Sequence, residues 1–81
     1  MIEIDRGLTS DAARFHIENE CSKVGPVYRV EVFLGALNTK PFALVYMVDR
    51  DHLEPLVQKF GGHIMGSCVM ISLGLQSDSK P

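Results

Sequence analysis

Side chains that could do chemistry are few in this sequence and widely spaced. Histidine and cysteine occur only at His16, Cys21, His52, His63 and Cys68. A metal site of the common kind needs ligands at short, regular spacings such as Cys-x-x-Cys, and no such pair occurs. A nucleophilic site needs a cysteine or serine beside a histidine, and the predicted elements bring no such pair together. We therefore expect no enzyme activity, no metal, no cofactor and no small-molecule substrate.

The two cysteines and the distribution of apolar residues indicate where in the cell the protein is found. Two cysteines so far apart do not form a disulfide framework, so we expect reduced thiols, as in intracellular proteins. The chain lacks both the run of about 18 apolar residues that a membrane span needs and the basic-then-apolar start of a signal peptide. The sequence predicts an intracellular protein, nuclear or cytoplasmic, with no membrane partner.

The charge balance argues against strong binding to a nucleic-acid backbone. The chain has 8 Lys and Arg against 10 Asp and Glu, a formal net charge of -2. Proteins that bind phosphate backbones draw most of their affinity from lysine and arginine. RNA is therefore expected to be at most a weak partner.

The elements that must position these residues can be read from apolar periodicity. Ile2 and Ile4 alternate with acidic residues and predict a short strand with one buried face. A helix is predicted over residues 10–24, with Thr9 or Ser10 as its cap and an apolar stripe on one side. Gly25 and the proline after it end this helix.

The middle of the chain predicts a hairpin followed by a second helix. Strands are expected at residues 27–33 and 42–47, joined by a loop at residues 34–40. Asp51 and Glu54 have the spacing of a capping box, and the residues after them form an amphipathic helix that two glycines end.

The last predicted strand covers residues 68–73, and residues 76–81 form a polar tail after a single domain at residues 1–75. The element order is strand, helix, strand, strand, helix, strand. This order predicts an α+β, ferredoxin-like β-α-β-β-α-β sandwich with a four-stranded antiparallel sheet. Both helices would pack on one face and leave the other face open.

Residues 40–47, KPFALVYM, resemble the octapeptide of the RNA recognition motif (RRM), and the wider resemblance covers about residues 2–73. The resemblance implies a sheet face that stacks RNA bases on aromatic side chains of its two central strands. Glu3 and Leu44 stand where two of those aromatic residues are needed, and only Phe42 remains. Each lost stacking platform removes about 1–3 kcal/mol per base.

The open face is then mainly apolar. Its expected residues are Phe42, Leu44, Met70 and Phe33, with Cys68 at the margin and Arg29, Glu31, Lys40 and Glu3 around them. An apolar patch with a charged rim is typical of a protein interface. The alternative is that the tail or the loop at residues 34–40 covers the patch.

Residues 18–25, ENECSKVG, are similar to the acidic first helix of the U2AF-homology motif, an RRM variant that binds a tryptophan-containing peptide. That resemblance implies Glu18 and Glu20 as partner contacts. The family also requires an Arg-x-Phe element before the last strand, and the aligned His63, Ile64 and Met65 lack it. Alternatively, both glutamates simply form a solvated helix face.

These observations predict a noncanonical RRM that acts as a protein–protein interaction module, for dimerisation or as an adaptor, in a ribonucleoprotein or RNA-processing complex. The alternative is direct binding of single-stranded RNA through Phe42, Lys40 and Arg29. The sequence leaves open the RNA pathway, whether the partner is the same chain or another, and whether the sheet or the helices bind it.

Overall fold

The computed structural model describes residues 1–5, 7–35 and 40–76. In chain order its elements are β1 (Ile2–Asp5), α1 (Ser10–Ser22), β2 (Val27–Phe33), β3 (Phe42–Met47), a 3₁₀ turn (Arg50–His52), α2 (Leu53–Phe60), β4 (His63–Met65) and β5 (Cys68–Gln76). The chain is therefore α+β, as its sequence predicts. Neither described helix is long and apolar enough to cross a membrane.

Helix α1 begins where the sequence supplies a cap. The Thr9 side chain accepts a hydrogen bond from the Ala12 amide at 3.1 Å, which satisfies a donor that the first turn would otherwise leave free. Ala13, Ile17 and Cys21 are fully buried because their spacing puts them on one side of the helix. The helix ends at Ser22, earlier than the predicted residue 24.

Helix α2 begins differently from the prediction. Asp49 accepts a hydrogen bond from the Asp51 amide at 2.9 Å and starts the 3₁₀ turn, which leads directly into α2. The N-cap of α2 is His52, and its side chain makes no capping bond. The predicted capping box of Asp51 and Glu54 is therefore wrong, since the 3₁₀ turn occupies the position of the predicted cap. Pro55 lies in the first turn of α2, where a helix has no use for its missing amide proton.

Strand β5 lies at the centre of a mixed, five-stranded sheet. β3 pairs antiparallel with one edge of β5, and β2 pairs antiparallel with β3 beyond it. Two strands share the other edge of β5: β4 runs antiparallel to residues 68–70, and β1 runs parallel to residues 73–76. The order is β1-β5-β3-β2, with β4 attached to β5.

This sheet corrects the predicted four-stranded antiparallel sheet and its ferredoxin-like order. A ferredoxin-like sheet has its first strand at the centre, whereas β1 lies at an edge and is parallel to its neighbour. The sheet also has one strand more than predicted, because Gly66, with φ 64°, and Ser67 form a tight turn that folds His63–Met65 back onto β5. β5 also continues to Gln76, past the predicted end at Leu73, and β1 pairs with this extension. The predicted tail beyond it, residues 77–81, lies outside the described residues.

Both helices pack on one face of the sheet and form a single core with it. The largest fully buried side chains are Ile17, Leu56, Ile71, Val45, Val69 and Cys21. Because successive strand residues point to opposite faces, the residues between these buried positions point away from the helices. No helix of the described chain covers that second face.

One irregularity in β2 changes where a side chain points. Val27 lies opposite Met47 and Arg29 lies opposite Tyr46, so Tyr28 is an extra residue in a β-bulge. Strict alternation would place Tyr28 on the core side of the sheet. The bulge instead leaves it 73% exposed.

A substitution at Gly62 tests the pairing of β4 with β5. Gly62 has φ 109°, and a Cβ added there would overlap the Met70 carbonyl oxygen on β5. We expect Gly62→Ala to lower the free energy of unfolding by about 2–3 kcal/mol, because the unfavourable φ and the backbone overlap add. Gly66→Ala has an unfavourable φ but open space around its Cβ, so it should lose about 1 kcal/mol.

Urea unfolding measures these losses. Gly7→Ala is the control, since nothing lies within 4 Å of its added Cβ and its φ is ordinary. Equal losses for the three variants would contradict the close approach of Gly62 to β5.

Candidate functional site

The face of the sheet opposite the helices, the open face, carries most of the residues that the sequence singles out. The registers of β2, β3 and β5 place its side chains in three cross-strand rows: Phe33, Phe42 and Ser72; Glu31, Leu44 and Met70; Arg29, Tyr46 and Cys68. Strand β4 extends two of these rows, with His63 opposite Met70 and Met65 opposite Cys68.

Four apolar side chains from three strands form a continuous band on the open face. This apolar band consists of Phe33, Phe42, Leu44 and Met70. The rings of Phe33 and Phe42 are stacked, with centroids 4.8 Å apart and planes inclined by 17°, and Leu44 lies directly opposite Met70. Phe33 is 43% exposed, and the other three are partly buried. The structure thus brings together four residues that the sequence assigns to one surface.

The charges beside the band largely neutralise one another. Arg29 Nη2 lies 2.6 Å from Glu31 Oε2, on the same side of β2. A charge-assisted contact of this kind leaves little free positive charge for a phosphate group. Lys40 is exposed two residues before the start of β3. The open face therefore has a nearly neutral centre with one lysine at its border.

Tyr46 lies between Arg29 and Cys68 in the third row. Partial burial raises the pKa of the Tyr46 hydroxyl above its ordinary value, and interactions with Cys68 and Glu31 raise this pKa further, while Arg29 lowers it. The Cys68 thiol donates a hydrogen bond to the Met65 carbonyl oxygen at 3.3 Å, which ties this row to β4. The Tyr46 hydroxyl therefore stays protonated and remains a hydrogen-bond donor at neutral pH.

A groove of about 360 Å³ lies at the end of the open face. It is lined by Tyr28, Tyr46, Met47, Val48, Arg50 and Ser67. Tyr28 and Val48 are 73% and 64% exposed. Apolar surface therefore continues past Tyr46 to the ends of β2 and β3.

Glu3 does not lie where the RRM resemblance implies. In that arrangement Glu3 would stand on a central strand, next to Phe42. In the structure β5 separates β1 from β3, and Glu3 lies opposite Gly74. A Cβ at Gly74 would overlap the Met1 sulfur at 2.6 Å, whereas it would make only an ordinary contact with the Glu3 side chain, at 3.6 Å. Glu3 therefore borders the outer edge of the sheet and is not part of the apolar band.

The acidic residues of α1 also lie apart from the element they would need. Glu18 is exposed, and Glu20 pairs with Lys23 at 3.3 Å. Helix α1 packs against β1 and β2, whereas β4 (His63–Met65) pairs with β5 and contacts α2. The two elements that the U2AF-homology motif combines are thus on different parts of this sheet.

Three residues of this surface are missed by the sequence analysis: Tyr46, Tyr28 and Met65. Tyr46 follows from the same alternation along β3 that selects Leu44. Tyr28 depends on the bulge, for which the sequence carries no local signal. Met65 depends on β4, and the glycine-serine pair that begins at Gly66 is a known hairpin signal.

The reactive side chains do not converge. Among the described residues, no group of three His, Cys, Asp or Glu side chains could hold a metal ion. Burial, with a smaller effect from Glu20, raises the pKa of the Cys21 thiol to about 12. This thiol therefore stays protonated and unreactive. The His52 ring packs against Gly25, where a Cβ would overlap it.

The ionisation of Tyr46 can be measured directly. The chain has 2 tyrosines, so Tyr28→Phe leaves Tyr46 as the only phenol. In that background we expect an absorbance titration with a midpoint above the ordinary value of about 10. Glu31→Gln should lower the midpoint and Arg29→Gln should raise it, because the two charges act in opposite directions.

The same pKa shift affects stability. Because the raised pKa belongs to the folded state, the free energy of unfolding should fall as the pH rises above the pKa of an unfolded tyrosine. Equal midpoints in folded and urea-unfolded protein would contradict the partial burial of Tyr46.

No protein-family model, curated protein or solved structure matches the chain. Its function must therefore be argued from the surface described above.

Proposed function

We propose that this chain is a protein–protein interaction module, for dimerisation or as an adaptor, and that it contacts its partner through the open face. The observation that carries this proposal is the apolar band, which crosses three strands and which no described helix covers. Exposed, contiguous apolar surface is unfavourable in water and on soluble proteins marks interaction sites. Phe and Met are also enriched in interfaces. The proposal assigns no catalytic role to the chain.

The surroundings of the band suit an interface rim. Charged residues are depleted from interface cores and occur at their borders, as Lys40 and the Arg29–Glu31 pair do here. Tyr46 and Tyr28 add rings with a hydroxyl group, which can bury apolar area and still make a hydrogen bond. A partner would therefore meet an apolar centre with polar contacts around it.

The resemblance of residues 40–47 to the RRM octapeptide extends this proposal to a ribonucleoprotein or RNA-processing complex. This extension depends on the resemblance alone. The edge position of β1 departs from the RRM arrangement, whereas the proposed interaction itself depends only on the apolar band.

Binding of single-stranded RNA is the second candidate, favoured by the Phe33–Phe42 stack and by Lys40, which precedes Phe42 by two residues. Aromatic stacking contributes about 1–3 kcal/mol per base. Arg29, however, is held by Glu31 at 2.6 Å, and the formal net charge of the chain is -2. Phosphate contacts would therefore be few.

Association should depend on Phe33 and not on Phe15. Light scattering coupled to size exclusion, over a concentration series, should give a mass that rises above the 9.0 kDa of one chain and ignores added single-stranded RNA. Phe33→Asp should weaken association at least about tenfold, because a charge in the interface must lose its hydration without a partner.

Phe15→Asp is the matched control, since Phe15 is 65% exposed on α1, on the other side of the sheet. An equal loss in both variants would exclude the open face as the interface. A chain that stays at 9.0 kDa and binds RNA with an affinity that falls steeply with salt would replace the proposal with the second candidate.

A further inference from the structure

We propose that the partner is a second copy of this chain, docked edge to edge through β2. This inference rests on the proposed function: it places the contact at the β2 border of the open face, where Phe33 of the apolar band lies, and it adds the identity and register of the partner. β2 is the last strand of the sheet order, and within the described residues it pairs with β3 alone. Its outer amide and carbonyl groups are therefore available to another strand.

The charges along β2 are self-complementary about Val30. If two β2 strands pair antiparallel around a two-fold axis at Val30, each Arg29 lies opposite Glu31 of the other copy. Both cross-strand charge pairs are then attractive. An axis at Arg29 would pair two arginines, and an axis at Glu31 would pair two glutamates. The charge pattern therefore favours one register, and that register gives a closed, symmetric dimer.

This register also keeps the two sheets in phase. Residues directly opposite each other in an antiparallel pair point to the same face. The open faces of the two copies would therefore join into one surface, with all helices on the other side. A shift by one residue would instead place the core face of one copy beside the open face of the other.

Exposed aromatic side chains flank the charge pair. Tyr28 is 73% exposed and Phe33 is 43% exposed, near opposite ends of β2. The two-fold axis brings Tyr28 of one copy toward Phe33 of the other. Apolar contacts would then border the central charges at both ends of the interface.

The opposite edge of the sheet does not favour the same contact. Antiparallel pairing of two β1 strands about Ile4 would place Glu3 opposite Asp5 of the other copy. Like charges in this position are destabilising. The neighbouring strand β4 has only 3 residues. β2 is therefore the edge whose sequence fits a second copy.

Charge reversal tests the register. Glu31→Arg gives a chain with two arginines on β2, and Arg29→Glu gives a chain with two glutamates. Each variant alone places like charges opposite each other, so its dimer dissociation constant should rise about tenfold. An equimolar mixture of the two restores opposite charges across the interface and should recover the affinity of the parent chain.

The mixture distinguishes the charge pairs between the two copies from the Arg29–Glu31 ion pair within one chain. Both variants lack the intrachain Arg29–Glu31 contact, alone and mixed, so losing that contact cannot explain a recovery. The combined variant Arg29→Glu, Glu31→Arg exchanges both charges in one chain and should associate like the parent. Circular dichroism checks that each variant is folded, and sedimentation equilibrium measures the dissociation constants.

Recovery in the mixture supports docking through β2. Single variants that dimerise as tightly as the parent, or a mixture that does not recover, overturn the inference. In that case the proposed function still stands if Phe33→Asp abolishes association. A parent chain that is monomeric at every concentration overturns the inference and the dimerisation form of the proposed function. The proposed function as a whole is overturned if that monomer binds single-stranded RNA with an affinity that falls steeply with salt.

Discussion

The pairing of β5 along both of its edges is the interaction on which the rest of the structure depends. One edge holds β3, and the other holds β4 and β1 end to end. Val69, Ile71 and Leu73 of β5 point into the core, and each is at most 5% exposed. Met70, on the opposite side of the same strand, completes the apolar band. A single strand thus organises both the core that stabilises this small domain and the surface proposed to bind a partner.

The central position of β5 also decides the character of the sheet edges. β1, with Glu3 and Asp5, is placed at one edge, where acidic side chains discourage pairing with another copy. β2 is left at the other edge with an arginine and a glutamate that neutralise each other. The apolar band lies nearer to this second edge, because Phe33 belongs to β2 itself. The open face and the β2 edge therefore form one continuous surface of the domain.

The sequence predicts those features that depend on local signals. The cap at Thr9 and the stripe of Ala13, Ile17 and Cys21 define α1, since both act within a few residues of the chain. Alternation along a strand predicts which residues share a face, so the members of the apolar band could be identified in advance.

Strand order cannot be predicted from local signals, because the alternation of Ile2 and Ile4 fits a central strand and an edge strand equally well. The choice of neighbour depends on long-range pairing with the end of β5. The bulge at Tyr28 likewise arises from pairing between strands. For these reasons the central-strand position that the RRM resemblance implies for Glu3 is wrong.

Cross-strand nuclear Overhauser effects between backbone protons test the placement of β5 most directly. We expect contacts between Ile4 and Leu75 in a parallel pattern, together with antiparallel contacts between Leu44 and Met70. Contacts between β1 and β3, as in a ferredoxin-like sheet, would contradict this placement, since they would require β1 at the centre and would put Glu3 beside Phe42.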